Sequence, residues 1–125
     1  MSNIFVRFVS GTFVAQYKAT IGADFLYQNI AIADKQVSLQ IWDTAGQEKY
    51  YSMQGVFYKG SDACLLVYDI TNMDSFQGIY KWKEEFLNYA NVQNPDNFPF
   101  ILIGNKADLT EERKGRFVKI SYRFL

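Results

Sequence analysis

Ile41-Trp42-Asp43-Thr44-Ala45-Gly46-Gln47-Glu48 is the stretch on which the reading of this chain turns. An alternating run, Val37/Leu39/Ile41, leads into an acid, a glycine and a glutamine in close order. An aspartate at a strand end can hold Mg²⁺ directly or through water, and a glycine three residues on can bring its backbone N–H against a terminal phosphate. Gln47 then stands where a side-chain amide can orient an attacking water. Asp-x-x-Gly by itself also marks many plain strand-to-turn corners, so the chemistry depends on what surrounds it.

Upstream, residues 25–33 and 37–43 both alternate, clearest in Ile30/Ile32 and Val37/Leu39/Ile41, with Ala33-Asp34-Lys35-Gln36 as the turn of an antiparallel hairpin. Ile4, Phe5, Phe8 and Val9 recur at helical spacing, which predicts a short helix over 2–10, stopped near Gly11, with its apolar face packed on a sheet. Downstream, 63–70 and 98–103 are near-continuous apolar runs, as expected of parallel strands covered on both faces. Between them a helix capped by Asn72 or Asp74 places Phe76, Ile79, Trp82 or Lys83, Phe86 and Ala90 along one side. Strand, crossover helix and parallel strand make a right-handed βαβ unit. Residues 91–99 form a polar, proline-bearing loop, and 111–114 a solvated charged run.

Asn105-Lys106-Ala107-Asp108 follows the second buried run and Gly104, at the carboxyl end of the sheet, where open α/β folds bind ligands. A carboxylate there can accept two hydrogens, from the ring N–H and the amino group of guanine, a pair that adenine does not offer. Thr20 lies in a polar connection ahead of the hairpin, where its hydroxyl can ligate Mg²⁺ and its backbone N–H can touch a γ-phosphate.

With WDTAGQE at Trp42–Glu48, NKAD at Asn105–Asp108 and YKATIGADF at Tyr17–Phe25, residues 2–109 resemble the Rab branch of the Ras-like small GTPases. ATIGADF and NPDNFPF (Asn94–Phe100) are most similar to the late-endosomal and lysosomal type. The resemblance implies an α/β fold of P-loop GTPase kind: a mostly parallel sheet with one antiparallel hairpin and helices on both faces. It implies GTP/GDP and Mg²⁺ as ligands, with Gln47 positioning water and Ser2, Thr20 and Asp43 serving the metal. Nucleotide contacts would come from Ser2, Phe13, Thr20, Gly46, Asn105, Lys106 and Asp108. In these roles Asn105 braces neighbouring loops, the stem of Lys106 lies against the base and Asp108 selects guanine. Phe13 is placed beside the guanine or, alternatively, is a core aromatic. Ile21, Phe25, Trp42, Tyr50 and Phe57 would face effectors, with Tyr51 and Met53 continuing the second switch, and the partners implied are effectors, an exchange factor and a GTPase-activating protein.

Lysine plus arginine equals aspartate plus glutamate at 13 each, so no net field favours nucleic acid, and no nucleic-acid role is expected. The chain has no histidine, which removes histidine triads and histidine zinc ligands, and its single Cys64 sits in an apolar run as a small buried hydrophobe. No apolar stretch reaches the roughly 20 residues of a membrane span, and the chain reads as cytoplasmic. By resemblance it would work at late-endosomal or lysosomal membranes. Residues 121–125 carry no cysteine to prenylate, so no stable membrane anchor is expected.

Residues 1–109 are expected to form an incomplete Ras-like domain and 110–125 a divergent tail without assigned function. G-x-x-x-x-G-K-[ST] occurs nowhere in the sequence. The expectation is that the first strand, the phosphate-binding loop, the last strand and the last helix have no counterpart here. Losing three charge-assisted contacts at about 1.5 to 3 kcal/mol each removes about 5 to 9 kcal/mol, so tight GTP binding is not expected, and marginal stability is. Two alternatives stand beside a GTP-hydrolysing switch: a non-hydrolysing, Rab-like effector-binding protein, and a product without function.

Overall fold

A computed structural model describes residues 2–15, 19–46 and 51–114. The chain divides into two units, Met1–Phe57 and Tyr58–Leu125. The first unit is built on a hairpin of β1 (Ala23–Ile32) and β2 (Lys35–Thr44), antiparallel and in unbroken register from Ala23 opposite Thr44 to Ile32 opposite Lys35. The turn is tighter than the sequence suggests: Ala33 and Asp34 alone make it, with Ala33 at φ 53°, and Lys35 and Gln36 already pair. Period-two alternation puts Leu26, Gln28, Ile30, Val37, Leu39 and Ile41 on the more buried face.

Helix α1 (Asn3–Ser10) forms where expected and ends at Gly11, whose φ of 69° lets its N–H close on the Arg7 carbonyl at 3.0 Å. Its apolar face, expected to pack on a sheet, is covered only in part. Ile4, Phe5 and Val6 are half-buried, Phe8 and Val9 are exposed, and the helix has no fully buried residue. Eight residues offer too short an apolar stripe for one face to be covered throughout.

The second unit is a βαβ arrangement. β3 (Cys64–Asp69) and β4 (Phe100–Asn105) pair in parallel, with Leu66 opposite Leu102, Tyr68 opposite Gly104 and Asp69 opposite Asn105. Helix α2 (Tyr51–Tyr58) precedes β3 in the sequence, and the single helix expected between β3 and β4 is two: α3 (Met73–Gln77) and α4 (Ile79–Ala90), meeting at Gly78. Asn72 caps α3, its Oδ1 accepting the N–H of Asp74 at 3.0 Å and of Ser75 at 3.2 Å. Gly78 keeps helical dihedrals, and its N–H bonds the Asp74 carbonyl at 2.9 Å, so the break is local.

The core of this unit lies on one face of the β3–β4 pair. Leu66, Tyr68, Ile70 and Ile79 cluster with Phe76, Trp82, Phe100 and Leu102, while Phe86, Ala90 and Phe98 gather Tyr58, Val92 and Phe100. The opposite row, Leu65, Val67 and Ile101, is exposed, which corrects the expectation that both faces of these runs are covered. A near-continuous apolar run fixes that a strand exists but not that both its faces are packed. Among the described residues no helix is long and apolar enough to cross a membrane.

Burial pushes the Cys64 thiol up to about 12. Its neutral form therefore favours the folded state up to the ordinary thiol value of 9.0, a contribution lost as pH rises through about 12. Cys64 is half-buried against the core, and at pH 8 a thiol reagent is expected to label it at least about 10-fold more slowly in the native protein than in urea. Equal rates would show that Cys64 is not held in the core.

Candidate functional site

In the first unit β2 delivers Asp43 to its last turn of alternation, where the side chain falls on the inner face and is only 8% exposed. Its Oδ2 accepts the backbone N–H of Ser2 at 2.5 Å and the hydroxyl of Thr20 at 3.2 Å. Three residues separated by up to 41 positions thus meet on one carboxylate oxygen. Gly22, at φ 70°, turns the chain into β1, and its carbonyl accepts the N–H of Ala45 at 2.8 Å, which holds the Thr20 segment beside the end of β2. Gly46 is exposed immediately beyond. A buried carboxylate with the Thr20 hydroxyl on it, joined to Ser2 through that residue's backbone N–H, supplies hard oxygen donors of the kind that suit Mg²⁺, which is held by few protein ligands and leaves positions for water and phosphate oxygens. The donor set fits that ion.

Gln47 and Tyr50 lie outside the described residues. Phe13 is 70% exposed, which removes the alternative of a core aromatic. Ile21 is exposed as well. Phe25 and Trp42 are directly cross-strand with ring centroids 4.7 Å apart, and Trp42 lies 5.1 Å from Phe57. Phe25 is 46% and Trp42 44% exposed, while Phe57 beside them is half-buried, so the first two rings lie at the surface rather than in a core.

In the second unit the loop after β4 carries the other motif. Asn105 is the last strand residue rather than a loop residue, and its carbonyl accepts the N–H of Ile70 at 3.1 Å. Gly104 is required just before it: a Cβ there would stand 2.9 Å from the Tyr68 hydroxyl and 3.1 Å from Ile70. Lys106 takes φ 62°, a left-handed conformation that costs a non-glycine residue about 1 kcal/mol or more. Its carbonyl accepts the N–H of Leu109 at 2.9 Å, closing a turn with Asp108 exposed at its third position.

The Lys106 ammonium lies 2.6 Å from Asp69 Oδ2. Asp69 Oδ1 accepts the N–H of Thr71 at 2.9 Å and its hydroxyl at 2.7 Å. Burial raises the Asp69 carboxyl, but the hydrogen bonds from Lys106 and Thr71 and the lysine charge outweigh it and hold the group below its ordinary value. Lys106 is pushed up by the same hydrogen bond and charge. Neither Asp69 nor Thr71 stands out in the sequence; the signal available is a polar Asp-x-Thr closing an apolar run.

A parallel βαβ unit, an alternating antiparallel hairpin and these motifs define a Ras-like small-GTPase fold. The Ras family model matches residues 1–121, carrying the similarity past Leu109. The chain belongs to the Ras family. It is 48% identical over 113 residues to the "Ras-related protein Rab-7b" of Paramecium octaurelia and 48% over 114 residues to the "Ypt/Rab-type GTPase YPT7" of Saccharomyces cerevisiae, in each case covering 90% of this chain and 55% of the relative. Against the "Ras-related protein RABG3f" of Arabidopsis thaliana the identity is 49% over 110 residues, 88% of this chain and 53% of the relative. The chain spans about half the length of the curated relatives it matches.

Proposed function

We propose that this chain carries part of the guanine-nucleotide switch of a Rab-type GTPase, a protein that binds GTP and GDP with Mg²⁺, hydrolyses GTP and directs late-endosomal, lysosomal or phagosomal vesicle traffic, and that this chain holds nucleotide only weakly because its sequence has no G-x-x-x-x-G-K-[ST] loop. The observation that supports this most is the buried Asp43 carboxylate with Ser2 and Thr20 gathered on one oxygen. In this reading Ser2, Thr20 and Asp43 hold the metal, whose charge would neutralise phosphate oxygens when bound. Gln47 orients water, the Gly46 N–H meets the terminal phosphate, and Asp108 accepts both guanine hydrogens. Effectors, an exchange factor and a GTPase-activating protein would read the switch.

A second reading, effector binding without hydrolysis, is supported by the exposed Phe25 and Trp42 rings backed by half-buried Phe57, since exposed aromatics anchor interfaces well. Effector capture that is unchanged by Asp108→Asn would favour it over the switch.

The switch is tested by displacement of a fluorescent GDP analogue from the full chain. GDP is expected to compete about 100-fold or more better than ADP, the worth of two hydrogen bonds to a charged acceptor. Asp108→Asn replaces two acceptor oxygens by one acceptor and one NH₂ donor, which matches the N–H and carbonyl of xanthine and opposes the amino group of guanine. The preference should then move from GDP to XDP. Equal competition by GDP and ADP in the unsubstituted chain would sink the proposal.

A further inference from the structure

We infer that Asp69, itself held by Thr71, is the positioning residue of the Asn105–Asp108 loop, fixing Lys106 so that Asp108 is presented in one orientation; this rests on the guanine-nucleotide reading above. The parallel register places Asp69 opposite Asn105, one residue before Lys106, so the carboxylate reaches the ammonium across the strand ends at 2.6 Å. Asp69 is a rigid anchor. Its N–H donates to Ser75 Oγ at 3.0 Å, its carbonyl accepts the N–H of Asn72 at 3.0 Å, and its two carboxylate oxygens are divided between Thr71 and Lys106.

Lys106 is the first residue of the turn closed by Leu109, and it is the residue in the left-handed conformation. Pinning its side chain therefore sets the turn whose third residue is Asp108. Without Asp69 nothing in that ion pair opposes the return of Lys106 to an ordinary backbone conformation, and Asp108 would sample several orientations. The carboxylate also makes Lys106 hold its proton more firmly, with smaller attractions from Glu112 and Asp108. The base-selecting group and the group that orients it thus lie on different strand ends.

The test compares the full chain with Asp69→Asn and with Thr71→Val, which keeps the side-chain shape and the backbone N–H but removes the hydroxyl. Two readouts are taken: displacement of fluorescent GDP by GDP, XDP and ADP, and acetylation rates of individual lysines by mass spectrometry, with exposed Lys35 as internal control. Asp69→Asn is expected to weaken GDP by about 2- to 5-fold, the upper part of the range for partly exposed charged pairs, leave the GDP-over-XDP ratio unchanged because Asp108 is intact, and speed acetylation at Lys106 but not Lys35. Thr71→Val should move both readouts the same way by less, and carries the test if Asp69→Asn does not fold. Unchanged GDP affinity in both variants, or loss of affinity without faster Lys106 acetylation, would overturn the inference while leaving the switch reading intact. Failure of the unsubstituted chain to prefer GDP over ADP would remove that reading, and the inference with it.

Discussion

Phe86→Ala is expected to destabilise the Tyr58–Leu125 unit by about 3 to 5 kcal/mol, the range for deleting a buried aromatic and leaving its cavity. Phe86 is 5% exposed, and its ring meets Tyr58 at 5.2 Å, Phe98 at 5.1 Å and Phe100 at 5.6 Å between centroids. Three of these rings come from different parts of the chain, so the residue ties α4 to β4, to the loop before it and to the end of the helix at Tyr51–Tyr58. Truncation removes all three contacts at once. Small domains hold only about 5 to 15 kcal/mol in total, so the loss would take about a fifth of this unit's stability at the least. Urea unfolding followed by circular dichroism measures it, with Tyr80→Ala as the contrast. Tyr80 sits on the same helix but is exposed, and its loss should stay within about 0.5 kcal/mol. A Phe86→Ala loss below about 1 kcal/mol would mean that the aromatic cluster is not the core of the unit.

The same cluster shows what the amino-acid sequence reveals and where it stops. Phe86 and Ala90 fall on the apolar stripe of α4 by period alone, and the hairpin follows from alternation at Ile30/Ile32 and Val37/Leu39/Ile41, because local periodicity records which side chains face inward. The Asn72 cap is equally local. Contacts between distant residues are not recorded that way. Asp69 and Lys106 meet because the parallel register sets Asp69 opposite Asn105, and nothing in the residues around either predicts that register. Exposure of Leu65, Val67 and Ile101 is hidden for a related reason: a run apolar at every position gives no sign of which face is packed. In the sequence Ser2, Thr20 and Asp43 are joined only through family resemblance, since neither spacing nor residue type links a serine at position 2 to an acid at position 43.

That junction carries the second large effect. Asp43→Ala is expected to abolish the Mg²⁺ dependence of nucleotide binding and to loosen the first unit. In the unsubstituted chain, EDTA should weaken GDP by about 100-fold, because a bound divalent ion contributes several kcal/mol of charge stabilisation at phosphate oxygens. In the variant, EDTA should make no further difference. The structural part has its own origin. Oδ2 of buried Asp43 is the acceptor for the Ser2 N–H and the Thr20 hydroxyl, and deleting it leaves two half-buried donors without that partner, at the low end of the about 1 to 3 kcal/mol for a group left unsatisfied. Asp43→Asn separates the two parts. Its carbonyl oxygen can still accept a hydrogen bond, so the fold should lose less than in the alanine variant, but it carries no negative charge for a cation, so the EDTA response should vanish as completely. An asparagine variant that keeps the full EDTA response would place the metal elsewhere and leave Asp43 as a purely structural acceptor.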